Sequence, residues 1–422
     1  MLHSIPTSGL GPLGAPMADA VSRCVHCGFC LAACPTYREL GQEMDSPRGR
    51  IVLMKEVLEG HLPWEAAQPH VDRCLGCLAC EPACPSGVPY RDLISPFRAA
   101  ASGRGTRRFL ERLLRVIVAE TLPYPTRFRV AVRLGQTAKR LGFPVPSALR
   151  PMMDLIPASL PSGASSGPVC VPARGTRRAR VALLAGCAQQ VLAPDIHAAT
   201  VEVLTRNGVE VEVPAGQGCC GGLSWHTGDL AAAREFAQRN LDAFPLDVDA
   251  VITNAAGCGS AMHEYPMILK GTGDEARAEA LAGKVRDVSV FLSELGWREP
   301  FRETRVRMAY QDACHLANAQ GVRQPPRDLL RSIPGVDLVE LADSELCCGS
   351  AGSYNLDQPE IAASLGARKA QAVMASGASV VASGNIGCLT QMQLHLRRAG
   401  ARVEVRHTMQ VLRDALAPEG RR

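Results

Sequence analysis

Along the second half of the chain, short apolar runs alternate with longer stretches of helical period, and the pattern occurs twice. In the first copy the apolar run Val181–Ala185 ends at Gly186-Cys187, and helical spacing follows through Leu204. Val209–Val213 then alternates apolar and charged positions before Cys219-Cys220-Gly221-Gly222. Ala250–Thr253 leads to Asn254 and Gly257-Cys258, and Val285–Val290 reads as a further short strand. In the second copy Val306–Tyr310 precedes Cys314-His315, and Val336–Leu341 precedes Cys347-Cys348-Gly349. Val380–Ala382 runs to Asn385 and Gly387-Cys388, and Val403–Val405 closes the copy. Strands separated by helical segments predict two repeated α/β modules with largely parallel sheets, over 179–300 and 301–414. Each places its cysteines just past strand ends, where open α/β sheets hold their sites.

Ahead of the repeat the pattern is different. Residues 21–97 carry eight cysteines in two matching groups. Between the groups, Pro47 opens a helical pattern whose apolar positions are Ile51, Leu53, Met54, Val57 and Leu58. Residues 98–156 hold many arginines and read as a basic helical connector, with Phe109, Leu113, Val116 and Ile117 at helical spacing and Arg108, Arg112 and Arg115 on other faces. Such a helix can lie on an anionic membrane. The reading favoured here packs the apolar stripe on the preceding region or on another subunit. Gly- and Pro-rich residues 1–20 predict a flexible lead, and the Pro/Gly/Ser-rich segment 157–178 a linker, since such composition buries little apolar surface. Cys170 lies in that linker and joins no ligand set.

Composition narrows the function. A chain of 422 residues with 46% hydrophobic content is expected to hold two or three domains. A net charge of +5 without a concentrated basic face argues against nucleic acid as a partner. Neither a secretory signal nor a transmembrane run is apparent, which predicts a cytoplasmic chain. Seventeen cysteines in metal-ligand spacings then point to thiolates that bind metal rather than to disulfides.

Cys24-x-x-Cys27-x-x-Cys30-x-x-x-Cys34-Pro35 and Cys74-x-x-Cys77-x-x-Cys80-x-x-x-Cys84-Pro85 are the two N-terminal groups. Three thiolates two residues apart can wrap one cubane, whereas the fourth is poorly placed to close it and reaches the partner cluster. The spacing therefore assigns Cys24, Cys27, Cys30 and Cys84 to one [4Fe–4S] cluster, and Cys74, Cys77, Cys80 and Cys34 to the other. Zinc knuckles are the bland alternative, but the doubled spacing is that of a ferredoxin. The long helical span between the groups predicts an α-helical ferredoxin-like domain. His26 lies between two ligands, where it could tune a potential or simply hydrogen-bond at the surface.

Each C-terminal module offers four thiolates: Cys187, Cys219, Cys220 and Cys258, then Cys314, Cys347, Cys348 and Cys388. Four sulfurs suit a further [4Fe–4S] cluster or a Zn²⁺ ion, against the alternative of buried, unmetallated cysteine. His226, His263 and His315 fall near these ligands as candidate supporting residues, and none is given a catalytic role. No dinucleotide fingerprint, phosphate loop or nucleophile elbow is seen, so an organic cofactor is expected on a partner chain.

The stretches Arg23-Cys-Val-His-Cys-Gly-Phe-Cys30, Cys34-Pro-Thr-Tyr37, Pro47-Arg-Gly-Arg-Ile51, Val57-Leu-Glu-Gly60, Asp72-Arg-Cys-Leu75, Cys84-Pro-Ser-Gly-Val88, Gly186-Cys-Ala-Gln189, Leu346-Cys-Cys-Gly-Ser-Ala-Gly352 and Asn385-Ile-Gly-Cys388 resemble the glycolate oxidase iron–sulfur subunit family over about residues 21–412. The resemblance implies a non-catalytic electron-transfer subunit that serves two FAD-binding subunits oxidising glycolate, and often D-lactate, with a quinone-type acceptor. It also implies peripheral attachment to the inner face of the cytoplasmic membrane. The cluster subunit of anaerobic glycerol-3-phosphate dehydrogenase shares the layout, and the Pro47-Arg-Gly-Arg and Gly186-Cys-Ala-Gln stretches favour the glycolate form. The modules also look like the cysteine-rich domains of heterodisulfide reductase. That family's extra cysteine is absent here: Ala255 and Ala261 flank Cys258 at three residues' distance, and Asn385 and Gln391 flank Cys388.

Overall fold

The computed structural model describes residues 5–104, 109–146, 149–161, 167 and 169–418. The N-terminal domain is helical. It contains α1 (Gly14–Ser22), α2 (Cys30–Ala33), α3 (Pro35–Leu40), α4 (Pro47–Leu58), α5 (Trp64–Asp72) and α6 (Arg91–Ala100). α4 begins where Ser46 accepts a hydrogen bond from Gly49 N at 3.0 Å, with Pro47 in the first turn. Ile51, Met54, Val57 and Leu58 face its core. Gly49 has no substitute here: a Cβ would stand 2.0 Å from the Glu43 carbonyl oxygen.

The lead is not the flexible segment expected. A 3₁₀ turn over Thr7–Leu13 passes into α1, whose Met17, Ala20 and Val21 are fully buried with Leu13. Those four residues form a helical stripe that the surrounding Gly and Pro obscure in the sequence.

Each repeat folds as a largely parallel sheet with flanking helices. The first has β1 (Val169–Val171), β2 (Ala179–Leu183), β3 (Val209–Val213), β4 (Ala250–Thr253) and β5 (Val285–Asp287), in the order β1-β3-β2-β4-β5. The second has β6 (Val306–Tyr310), β7 (Val336–Glu340), β8 (Val380–Ser383) and β9 (Glu404–His407), in the order β7-β6-β8-β9. Val181 pairs with Val211 and Ala250, and Met308 with Leu338 and Val380, so the copies share one register plan. Two expectations are corrected. The linker is shorter than its composition suggests, because β1 lies within it and pairs antiparallel with β3 from Val169 opposite Val213. The run after Val285 is a strand only to Asp287. There the Asp287 carboxylate accepts from Ser289 N at 2.8 Å and starts a helix over Val288–Leu295.

The modules face one another across a shared core containing Val181, Val211, Tyr310 and Leu412. Matching residues close the contact: Ala256 N donates to the Gly384 carbonyl at 3.1 Å, and Gly257 N to Asn385 Oδ1 at 3.4 Å.

The connector forms α7 (Phe109–Thr121), α8 (Pro125–Arg140) and α9 (Arg150–Leu155). The apolar stripe of α7 is not packed within this chain. Phe109, Leu113, Val116 and Ile117 are exposed, so of the expected partners the ferredoxin-like domain is excluded and another subunit or a membrane is left. Val118 faces inward instead, and Arg115 Nε reaches Asp357 Oδ1 at 3.2 Å. A guanidinium bonded to a carboxylate of the second module fixes the helix rotation that leaves the stripe outside. Arg108 lies outside the described residues.

Candidate metal centres

The two N-terminal cysteine loops have one backbone shape. His26 and Gly76, two residues after the first thiol of each loop, have φ of 55° and 64°. Gly28 and Leu78, one residue after the second thiol, have φ of 86° and 58°. Positive φ at His26 and Leu78 is costly for residues with a Cβ, and its recurrence marks a turn shaped for a purpose. Such turns converge backbone N–H groups on the enclosed sulfurs. In the second loop Gly76 N lies 3.4 Å from Cys74 Sγ.

Two neighbouring cavities open inside these loops. One is lined by Cys24, Cys27, Cys30, Cys80 and Cys84. The other is lined by Cys34, Cys74, Cys77 and Cys80. All are free thiols. Around the second cavity charge is arranged to favour thiolate. Burial raises the Cys74 thiol, but Arg50, Arg98, the Gly76 N–H and the Tyr90 hydroxyl outweigh it and hold it below its ordinary value. Burial pushes Cys30 up to about 11, and burial with the neighbouring thiols raises Cys77 and Cys80 well above their ordinary value.

Arg50 supports this arrangement, and the sequence reading missed it. Its guanidinium is buried, with Nη1 3.8 Å from Cys34 Sγ, Nη2 3.0 Å from Thr36 Oγ1 and Nε 2.6 Å from the His70 carbonyl. Asp45, also buried, lies 3.6 Å from it and takes hydrogen bonds from His70 and Arg73 at 3.0 Å each. The advance signs were an arginine three after Pro47 on an otherwise apolar helical face, and its place in the Pro47-Arg-Gly-Arg stretch of the family resemblance. Arg98 likewise belongs to the domain rather than to the connector, bonding the Val71, Cys74 and His226 carbonyls.

In each C-terminal module the four thiols come together. Cys219 Sγ is 3.6 Å from Cys187 Sγ, and Cys220 is hydrogen-bonded by Cys219 and Cys258. Cys348 is hydrogen-bonded by Cys347 and Cys388, and Cys347 meets Cys314. In both quartets the second thiol of the adjacent pair is held well below its ordinary value, by neighbouring thiols and then by a backbone N–H, from Gly222 or Ser350. Gly221 and Gly349, at φ of 78° and 86°, turn the chain so that adjacent cysteines reach one point. A quartet of converging thiols fits a metal or cluster that prefers sulfur.

Both quartets border one cleft between the modules, whose lining includes Cys187, Cys220, Cys258, Cys314 and Cys388 and, from the N-terminal domain, Cys74. His226 and His315 also line it, their rings edge to face at 5.2 Å. Burial lowers both to about 4, so both are neutral. His263 is not among the lining residues.

These features define a class: an iron–sulfur electron-transfer protein with a ferredoxin-type domain and two cysteine-rich modules. Residues 20–88 match the family model described as a 4Fe-4S dicluster domain, and residues 181–263 and 308–393 match the Cysteine-rich domain. The chain is 37% identical to the glycolate oxidase iron-sulfur subunit of Escherichia coli (strain K12), over 95% of this chain and 96% of that one. It is 38% identical to a Bacillus subtilis (strain 168) protein named "Probable glycolate oxidase iron-sulfur subunit", over 93% of each chain. Lactate utilization protein A of Oceanobacillus iheyensis is 34% identical, over 55% of this chain and 96% of its own length. The chain belongs to the family of glycolate oxidase iron–sulfur subunits.

Proposed function

We propose that this chain carries electrons for a 2-hydroxy-acid oxidase acting on glycolate and on D-lactate, from FAD on two partner subunits to a quinone-type acceptor. Cys24, Cys27, Cys30 and Cys84 would hold one [4Fe–4S] cluster, and Cys74, Cys77, Cys80 and Cys34 a second. Bound clusters of this kind accept and release single electrons. The observation that carries the reading is the pair of adjoining cavities, each bordered by three thiols of one loop and the fourth thiol of the other, with Cys80 on the wall between them. The chain's own part is to bury those thiols, turn N–H groups toward them and set the Arg50 and Arg98 charges beside them. The quartets at Cys187, Cys219, Cys220 and Cys258 and at Cys314, Cys347, Cys348 and Cys388 would hold further metal, as [4Fe–4S] or Zn²⁺. The exposed apolar stripe of α7 supports peripheral attachment at the inner face of the cytoplasmic membrane.

The test is Cys27→Ser in the assembled complex. Glycolate-dependent dye reduction is lost while the flavin remains reducible by substrate. Loss of flavin reduction as well would remove the relay reading. Metal analysis of the wild type gives about eight iron atoms per chain from the ferredoxin-like domain, with iron beyond that, or zinc, reporting the C-terminal quartets.

A further inference from the structure

The two cysteine loops share a backbone but not their surroundings. By spacing, Val25 and Phe29 of the first loop correspond to Leu75 and Ala79 of the second. Leu75 and Ala79 are 7% and 6% exposed, packed in a cluster with Tyr354, Ile361 and Leu365 of the second cysteine-rich module. That module also hydrogen-bonds the loop. His315 Nε2, Asn318 Nδ2 and Tyr354 Oη donate to the carbonyls of Gly76, Cys77 and Arg73 at 3.0, 3.1 and 2.7 Å. A thiol-bearing domain of this chain is therefore seated on the second loop.

On the first loop Val25 is 66% and Phe29 69% exposed, and Cys27 is exposed between them. Met44 and Val52 are exposed too, on the segment whose Arg48 reaches the His26 carbonyl at 3.1 Å. The same turn with the same apolar flanks is covered in one copy and open in the other.

We propose that the first loop is the surface on which the flavin-bearing partner seats, so that electrons enter at Cys24–Cys30, cross to the second loop and leave toward the cleft between the modules. This rests on the electron-relay reading above. The onward direction follows from Cys74, which borders both the second cavity and the cleft. Flavin reduced by the hydroxy acid gives up two electrons one at a time, each reducing a cluster by one electron, and releases its protons at the flavin.

Charge complementarity identifies the occupant. Four thiolates around a cluster leave the site negative, and of the outward carbonyls that such turns present that of His26 already accepts from Arg48. The fitting face is apolar, supplies hydrogen-bond donors or cations, and carries no excess of acid. The second module meets the second loop with such a face, using a histidine, an asparagine and a tyrosine as donors.

The experiment uses the full chain with its clusters, assembled with the flavin-bearing oxidase subunits. Rapid mixing with glycolate under anaerobic conditions follows flavin and cluster absorbance separately. Val25→Asp with Phe29→Asp is expected to keep wild-type iron content, reduction by dithionite and flavin reduction by glycolate. Cluster reduction by the flavin slows roughly tenfold, as for loss of apolar anchors from an interface. Leu246→Asp, an equally apolar exposed site elsewhere, changes nothing. Undiminished cluster reduction overturns the proposal. So does slowed reoxidation by quinone with normal reduction, which would make this loop the exit. Loss of self-association in sedimentation with normal reduction would also overturn it, by assigning the face to a second copy. If the double variant lost iron, Phe29→Ser would decide by the same readout. A wild-type chain without iron would instead remove the relay reading itself.

Discussion

His315 Nε2 donates to the carbonyl oxygen of Gly76 at 3.0 Å, joining the residue after a thiol of the second module to the turn between two thiols of the ferredoxin-like domain. The neighbouring Asn318 does the same for Cys77, from a π-helical turn over His315–Ala319. Two donors aimed at adjacent carbonyls fix the distance between two thiol sites. Replacing both with alanine is expected to cost about 2 kcal/mol, near 1 for each hydrogen bond lost. Thermal melting measures this, and an unchanged midpoint would show that apolar packing alone holds the contact.

Arg50 offers a second prediction. Arg50→Met removes the guanidinium beside Cys34 and one of the three cationic or donor groups around the buried Asp45, which keeps Arg73 and His70 at 3.0 Å. Because Asp45 stays paired, the loss should fall below the roughly 3–5 kcal/mol of an orphaned buried charge. The variant should lose iron from the site that includes Cys34 first. Arg50→Lys should fall between, because one ammonium cannot reach Thr36, His70 and Cys34 together. Iron content after desalting ranks the three proteins.

The pH dependence of stability should have a defined contribution from His197. It is buried, neither ring nitrogen has a hydrogen-bond partner, and burial lowers its pKa to about 4. In the unfolded chain it titrates near 6.5. Between those values the unfolded state binds the extra proton, so stability is intact above about pH 6.5 and falls as pH drops toward 4. His197→Phe removes that loss. Relative to wild type it should gain about 2 kcal/mol on going from pH 7.5 to pH 5. An equal difference at both pH values would mean that the histidine titrates alike in the folded and the unfolded chain.

The connector hairpin yields a prediction about membranes. Val130 and Leu134 of α8 are exposed, as is the apolar stripe of α7, and α8 carries Arg127, Arg129, Arg133, Lys139 and Arg140 and no acidic residue. Basic amphipathic surfaces bind anionic lipid through both terms. The chain should float with phosphatidylglycerol-containing vesicles but not with phosphatidylcholine alone, and Val130→Glu with Leu134→Glu should weaken this roughly tenfold. Binding to neither vesicle, with the same variant impaired in complex assembly, would reassign the hairpin to a protein interface.

Much of this chain was legible in one dimension because its chemistry is local. Thiols two residues apart, a proline after the fourth, and strands ending at glycine and cysteine are constraints that a few neighbouring residues impose on themselves. The repeat was visible for the same reason, since each copy carries the same short-range pattern. What tertiary structure alone decided is which surfaces meet. Nothing near Gly76 announces that His315 will bond to it, and nothing near Phe109 that Arg115 will turn its helix outward. Both quartets border one cleft because two similar modules pack face to face, and the first loop is left open because the second module seats on the other. Such outcomes depend on packing between residues far apart in the chain, where no local spacing carries the information.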